Sequence, residues 1–402
     1  MNRYKILAKK YVGLSLRIGL LLPLLLPFVA KAETDDEIWE NARKVMKSRA
    51  HCKSLSQCLS KAQDGDVKAQ YITGNAYRVG PDAENIYYFK VKEVDNKKAL
   101  FWLNMAAQNE NVNAMNSLSK LYSVEATNNT RDFEKAKRWA SKCVDKGETD
   151  CHFVLGVIAE ANGDYTAARS HYQKTTLHRK AKYQMAMLHF YGKGGAVDYK
   201  SANDILSGIE LDRFGPAYRV RGLMAINGLG QEKDVRLGLS YLRQAIEYKE
   251  FAAYEDIGEL YYTGNGVEKN YETAFSNFSA IVSMQRPKTM RYVALMAYYG
   301  QGVEKKVDHA IVLFEAAANK GDVTSAWALG RIYLSGEDIE KNEELGFHLV
   351  KFAAERNHPE AQYGLGYLYS SGIGVEKNAE EARRWLTLAA KNGNKMAIEA
   401  LK

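Results

Sequence analysis

Few residues in this chain have the type and spacing to do chemistry. Ser117-Leu-Ser-Lys120 has the Ser-x-x-Lys spacing of a serine nucleophile beside a lysine. Neither Ser-Asp-Asn nor Lys-Thr-Gly accompanies it, and without those partners the motif carries no mechanism. Gly264-Asn-Gly-Val267, Gly300-Gln-Gly-Val303 and Gly372-Ile-Gly-Val375 are glycine-rich. They lack the lysine of a phosphate loop and follow helical rather than strand patterns. His171 and His178 lie seven residues apart, near Cys151 and His152. No metal-ligand spacing is met, so they read as two exposed histidines on one solvated helix face. There is no His-Glu-x-x-His, no Gly-x-Ser-x-Gly and no Walker-type loop. The expectation is a protein without catalytic residues, metal or cofactor.

The elements that position everything else follow a fixed beat. Gly192, Gly228, Gly264, Gly300, Gly336 and Gly372 recur every 36 residues. Gly336-Glu-Asp-Ile339 is a decayed copy of the glycine tetrad. Ten residues after each glycine comes Ala202, Gly238, Ala274, Ala310, Gly346 or Ala382, and six before comes Ala186, Gly222, Gly258, Ala294, Gly330 or Gly366. A fixed period of this length signals a solenoid. Each period reads as a helix, a glycine turn and a second amphipathic helix. Glycine suits the turn because only it enters left-handed backbone regions without steric cost. Small residues let the two helices approach closely. One such hairpin cannot bury its apolar face alone, but stacked neighbours can.

The pattern Ala-x-x-x-Leu-Gly-x-x-Tyr-x-x-Gly-x-Gly-Val, then Ala-x-x-Trp-x-x-x-Ala-Ala-x-x-Gly, resembles the Sel1-like repeat, a relative of the tetratricopeptide repeat. Residues 361–393 match it almost throughout. The resemblance implies an all-α fold, a right-handed α/α superhelical solenoid of helix-turn-helix repeats, and a protein-binding role. It supplies no catalytic residue. The organisation expected is a secretory signal over 1–32, an N-terminal capping helix region over 33–62, and a solenoid over 63–402. That solenoid would hold about nine repeats, the last six on the 36-residue period. The Cys143–Cys151 spacing resembles that of the cysteine-bearing secreted members, in which it staples adjacent helices. Cys52 and Cys58 are candidates to staple the N-terminal cap. Some cysteine-bearing relatives carry a penicillin-binding label, which leaves a β-lactam- or peptidoglycan-interacting enzyme as the rival expectation. A secreted host-interaction factor is a third.

The signal changes the meaning of the charge. Arg3, Lys5, Lys9, Lys10 and Arg17 precede or enter an apolar run from Leu20 to Val29, and Ala30-Lys-Ala32 has the small-x-small form of a cleavage site. The cut is expected after Ala32, giving a periplasmic or secreted protein with no membrane span after cleavage. The whole chain carries +8, but residues 1–32 hold six Lys and Arg and no acid, so the remainder is nearly neutral. That removes the concentrated basic field that nucleic-acid binding requires. Four cysteines and no Cys-x-x-Cys fit disulfides in an oxidising compartment rather than thioredoxin-like chemistry.

What remains is surface. By the tetratricopeptide analogy, positions −3, +1 and +4 from the Leu-Gly glycine line the concave groove. Steps of three and four keep one stripe on one side of a helix. Aromatics and arginine, the types that carry interface energy, cluster there as Tyr262, Arg291, Tyr298, Trp327, Arg331, Tyr363 and Tyr367. A second candidate is the swollen turn around Tyr87, Tyr88 and Phe89, an apolar, β-prone run suited to loop contact. The expected partner is a protein or peptide of the cell envelope.

Overall fold

The computed structural model describes residues 51–80, 91–126, 130–175, 178–209 and 213–401. Among them are twenty α-helices and no strand. They run as consecutive hairpins. Helix α1 (Leu55–Gln63) precedes α2 (Val67–Val79) with α3 (Asn96–Gln108), α4 (Val112–Leu121) with α5 (Phe133–Asp145), and α6 (His152–Ala161) with α7 (Tyr165–Lys174). Then come α8 (Arg179–Phe190) with α9 (Tyr199–Ser207), α10 (Gly215–Asn227) with α11 (Val235–Glu247), and α12 (Ala252–Thr263) with α13 (Tyr271–Ile281). The last are α14 (Pro287–Tyr299) with α15 (Val307–Asn319), α16 (Val323–Ser335) with α17 (Glu343–Glu355), and α18 (Pro359–Ser371) with α19 (Ala379–Lys391). A short α20 (Lys395–Ala400) ends the described chain. The chain divides into two compact units, one reaching residue 185 and including 193–195, the other comprising the rest.

One local device builds almost every hairpin. The backbone N–H of the second helix's N-cap donates to a carbonyl near the end of the first helix. The pairs are Asp95 to Tyr77, Asp132 to Tyr122, Asp198 to His189, Asp234 to Ala225, Asn270 to Tyr261, Lys306 to Ala297, Asn342 to Tyr333 and Asn378 to Tyr369, all at 2.8–3.0 Å. The same cap residue then uses its side chain. Asn270 accepts from Thr273 N–H at 2.8 Å and Asn378 from Glu381 N–H at 3.0 Å. Such a cap satisfies a helix N–H that has no partner inside the helix. Lys306 adopts the same extended backbone but makes no side-chain cap bond.

The paired glycines do two different jobs. Gly228, Gly264, Gly300, Gly336 and Gly372 end their helices with φ between 66° and 76°, the left-handed cap. The second glycine packs backward. A Cβ on Gly302 would strike the Tyr271 carbonyl group, and one on Gly374 that of Glu343, each at the start of the preceding hairpin's second helix. The decayed tetrad replaces this glycine by Asp338, which accepts an ion pair from Lys305 at 2.7 Å.

No hairpin owns its core. One cluster joins Ala318 of α15, Ala326 of α16, Phe347 and Val350 of α17, Leu365 of α18 and Trp385 of α19. Phe278 and Phe314 are fully buried. Burying such a side chain contributes roughly 1.5–3 kcal/mol relative to exposure, and only neighbouring hairpins together can supply the cover. Two disulfides add covalent staples. Cys52–Cys58 ties the segment before α1 to that helix, with Cα atoms 5.2 Å apart. Cys143–Cys151 ties α5 to the turn of 3-10 helix Thr149–Cys151 that leads into α6, at 6.1 Å. All four sulfurs are buried.

Three changes test these assignments in urea or thermal melts. Lys306→Asn should stabilise the protein by about 0.5–1 kcal/mol by supplying the missing cap, and Asn270→Ala should destabilise it by about 1 kcal/mol. Replacing Cys143 and Cys151 together by serine should lower stability by about 2–3 kcal/mol, the chain-entropy value for so short a loop. The same variant should give two thiols instead of four in an Ellman count of the reduced, denatured protein.

Candidate protein-binding face

The first helices of the second unit carry the stripe that the sequence singled out. Tyr262, Arg291, Tyr298, Trp327, Arg331, Tyr363 and Tyr367 lie on α12, α14, α16 and α18, and none belongs to the buried core. They separate into two groups by what they touch. Tyr262 meets Tyr271 and Tyr292 edge-on, with ring centroids 5.5 and 5.0 Å apart, and burial pushes its hydroxyl pKa up. Arg291 pairs with Asp322, the N-cap of α16, at 2.8 Å. Tyr298 lies under the Lys305 ammonium, 5.5 Å from its ring centre, and burial together with a hydrogen bond to Asp338 pushes its hydroxyl up to about 12. These three residues bind one hairpin to the next.

The other four gather on α16 and α18. The Trp327 ring lies against the α18 backbone at Gly364, where a Cβ would sit 2.8 Å from the indole. It tilts over His358 at 6.0 Å and carries the exposed Arg331 guanidinium 5.8 Å from its ring centre. Tyr363 is half-buried, and Tyr367, one turn further along α18, is 55% exposed. Residues four apart on a helix are neighbours on its surface, which pairs Trp327 with Arg331 and Tyr363 with Tyr367, and the Trp327–Gly364 contact sets the two pairs on adjoining helices as one candidate patch. Its floor is the buried cluster around Ala326, Ala361 and Leu365. Tyr87, Tyr88 and Phe89 lie outside the described residues.

Beside the patch runs a polar ladder that the sequence reading missed. Arg219 of α10 pairs with Asp256 of α12 through both carboxylate oxygens. Lys288 and Tyr292 of α14 reach Glu259 of α12 at 2.7 and 2.9 Å. Thr289 of α14 donates to Glu255 of α12, which is almost fully buried. Burial opposes the Glu259 charge, yet the Lys288 and Tyr292 hydrogen bonds hold its pKa below the ordinary carboxylate value. The Tyr292 hydroxyl is pushed up to about 12 by burial and by Glu259. The signal was present: opposite charges recur in the same or adjacent rows one repeat apart.

The candidate chemical residues are placed differently from expectation. His171 and His178 do not share a helix, since α7 ends at Lys174 and α8 begins at Arg179. His171 Nδ1 lies 3.1 Å from His152 Nδ1. His178 is partly buried, stacks on Phe153 at 4.2 Å and caps α8 by accepting the Ala181 N–H at 3.2 Å. Burial pushes its pKa down to about 4, helped by Lys120. Neither is an exposed histidine, because the short Asn162-Gly163 turn brings α7 back over α6. Among the described residues no three His, Cys, Asp or Glu converge as metal ligands. Ser117 is buried in α4, and no hydrogen bond joins it to Lys120, whose ammonium burial pushes down in pKa.

The model of one family, described as Sel1 repeat, matches residues 67–111, 114–147, 179–204, 217–247, 252–280, 287–322, 323–358 and 359–394, more than half of the chain. The chain belongs to the Sel1 repeat family. Among solved structures it is similar to a protective antigen of uropathogenic Escherichia coli displaying an SLR fold, with TM-score 0.62 and 24% identity over 74% of this chain. The chain spans 65% of that protein's length, and at this identity the likeness is one of fold. A Sel1 repeat protein from Oxalobacter formigenes matches with TM-score 0.55 and 26% identity, over 59% of this chain and 98% of its own. No curated protein matches the chain. The family pattern passes over residues 148–178, although α6 and α7 form a hairpin there. That hairpin has a shorter turn: Asn162-Gly163-Asp164 closes it, and Asp164 N–H donates to Ala159. Sel1 solenoids are typically protein-interaction scaffolds.

The His178 cap generates a pH prediction. Its folded pKa lies below the ordinary histidine value of about 6.5, so the neutral ring is favoured by folding. The stabilisation is complete above pH 6.5 and is lost as pH falls from about 6.5 to 4. Melting temperature should drop across that window. His178→Asn keeps a capping oxygen without a titrating ring and should flatten the drop, measured against wild type by calorimetry.

Proposed function

We propose that the protein is a non-catalytic scaffold of the cell envelope that holds a protein or peptide partner on the α16–α18 face. The observation that supports this reading is the patch of Trp327, Arg331, Tyr363 and Tyr367. Aromatic and arginine side chains are left partly open to solvent above a well-packed apolar floor. Such residues dominate binding energy when a partner covers them. Tyr262, Arg291 and Tyr298 act one level down, holding successive hairpins in the register that presents the patch. Under this reading residues 1–32 are an export signal cut after Ala32, and the two disulfides suit the oxidising compartment beyond the inner membrane. No helix among the described residues is long and apolar enough to cross a membrane.

Arg331→Glu and Tyr367→Ala change exposed side chains, so each should shift stability by no more than about 0.5 kcal/mol. Combined, they should weaken co-purification of the partner by at least about ten-fold in an affinity pull-down from envelope extract. Retention of the partner by the double variant, with its melting temperature unchanged, would remove this face from the account.

A further inference from the structure

A cleft of about 560 Å³ opens in the first unit between α3, α4 and α5. Its lining includes Tyr122, Trp139 and the four cations Lys135, Arg138, Lys142 and Lys146, against the two acids Glu110 and Asp145. A second cleft, of about 600 Å³, occupies the matching place between α17 and α19, lined by Tyr369, Glu381, Arg384 and Trp385 among others. The correspondence is set by hydrogen bonds. Tyr122 accepts from the N-cap Asp132 as Tyr369 accepts from the N-cap Asn378. Arg138-Trp139 therefore stands where Arg384-Trp385 stands.

The two clefts differ at several lining positions, and the carboxylate of Glu381 is the one that meets the shared Arg-Trp pair. In the second, Glu381 takes the Arg384 guanidinium at 3.1 Å on one oxygen and the Trp385 indole N–H at 3.0 Å on the other. In the first, the residue at that position is Lys135, which turns away to Asp132 at 2.9 Å. Trp139 makes no hydrogen bond and Arg138 no ion pair among the described residues; Lys142 lies over the indole face, 5.3 Å from the ring centre. Lys146 is held by Glu110 at 2.9 Å. Where α19 continues with Leu388 and Asn392, α5 and its end place Lys142 and Lys146. The same frame has lost its internal acid and gained cations.

We propose that this cleft binds an acidic peptide segment, one carboxylate of which takes the place that Glu381 fills in the last hairpin. That carboxylate would bridge the Arg138 guanidinium and the Trp139 N–H, a charge-assisted arrangement stronger than a neutral pair. Lys142, four residues on from Arg138, stands about 5–6 Å further along the helix surface. Alternate side chains of an extended peptide repeat at roughly 6.6 Å, so a second acid two residues away meets Lys142. This site is separate from the α16–α18 face and does not depend on it.

The test is fluorescence anisotropy of a fluorescein-labelled hexaglutamate peptide with the full-length, signal-free protein, against hexaglutamine. Hexaglutamate should bind and hexaglutamine should not. Lys135→Glu rebuilds the internal acid of the last hairpin and should weaken binding by at least about ten-fold without lowering the melting temperature. Lys137→Glu makes the same charge change outside the cleft lining and should stay within about two-fold of wild type. Arg138→Gln, a near-isosteric change on an exposed position, should also weaken binding and guards against a misfolded Lys135 variant. The proposal fails if hexaglutamate does not bind, if Lys137→Glu weakens it as much as Lys135→Glu, or if a uronic-acid hexamer of equal charge binds more tightly.

Discussion

Everything in the described structure depends on how closely the two helices of a hairpin can approach. At Gly330 an added Cβ would come within 3.1 Å of the Gly346 carbonyl oxygen and 2.9 Å of Val350. At Gly258 it would meet the Phe278 ring at 2.8 Å, and at Gly366 the Leu386 side chain at 2.8 Å. A side chain at these positions would hold the helices apart. The second helix could then no longer seal the apolar seam, and the next hairpin would lose its seat. In a repeat protein stability is a chain of such neighbour contacts, so one bulky residue there would be felt beyond its own hairpin.

Close packing at the small positions leaves the two helices with different tasks. The second helices bring large apolar groups inward: Phe278, Phe314, Phe347 and Trp385. The first helices cover those groups with one side and meet the next first helix with another. That second contact is largely polar in the stretch from α10 to α16, where Arg219, Glu259, Lys288 and Arg291 reach across repeats. Between α16 and α18 it changes character, and an indole against a glycine backbone takes over from the ion pairs. The proposed partner face sits where the ladder stops. A polar contact already satisfied inside the chain has little left for a partner, whereas the Tyr363 and Tyr367 side chains make no hydrogen bond or ion pair among the described residues.

Much of this was legible in the residues. Six glycines at 36-residue steps specify the turns, and the small residues around them specify the close helix contacts. The glycine caps all adopt the left-handed conformation that the spacing requires. Cys143–Cys151 is the pair that the family spacing suggests, and Cys52–Cys58 is the pair offered as a staple of the N-terminal cap. What escaped was everything that acts between repeats. Arg219 and Asp256 are 37 residues apart, and no local pattern says which acid an exposed arginine will choose. His178 escaped for a related reason. Its role as a cap depends on where α7 ends, and helix ends are the least sharply encoded feature of an amphipathic run. The cationic cleft was hidden because Lys135, Lys142 and Lys146 stand where the last hairpin has Glu381, Leu388 and Asn392, a difference that only aligned hairpins make visible.

The most direct test of the central claim is site-specific photocrosslinking in living cells, with a benzophenone side chain in place of Tyr367 and, separately, of the exposed Val312 on the second helix α15. The account predicts one recurring covalent product at position 367, identified as the same envelope protein in replicate digests, lost when Arg331 is also changed to Glu, and absent at position 312. Equal capture of the same protein at both positions, or no product at 367 in cells where the protein is abundant, would contradict a partner face on α16 and α18.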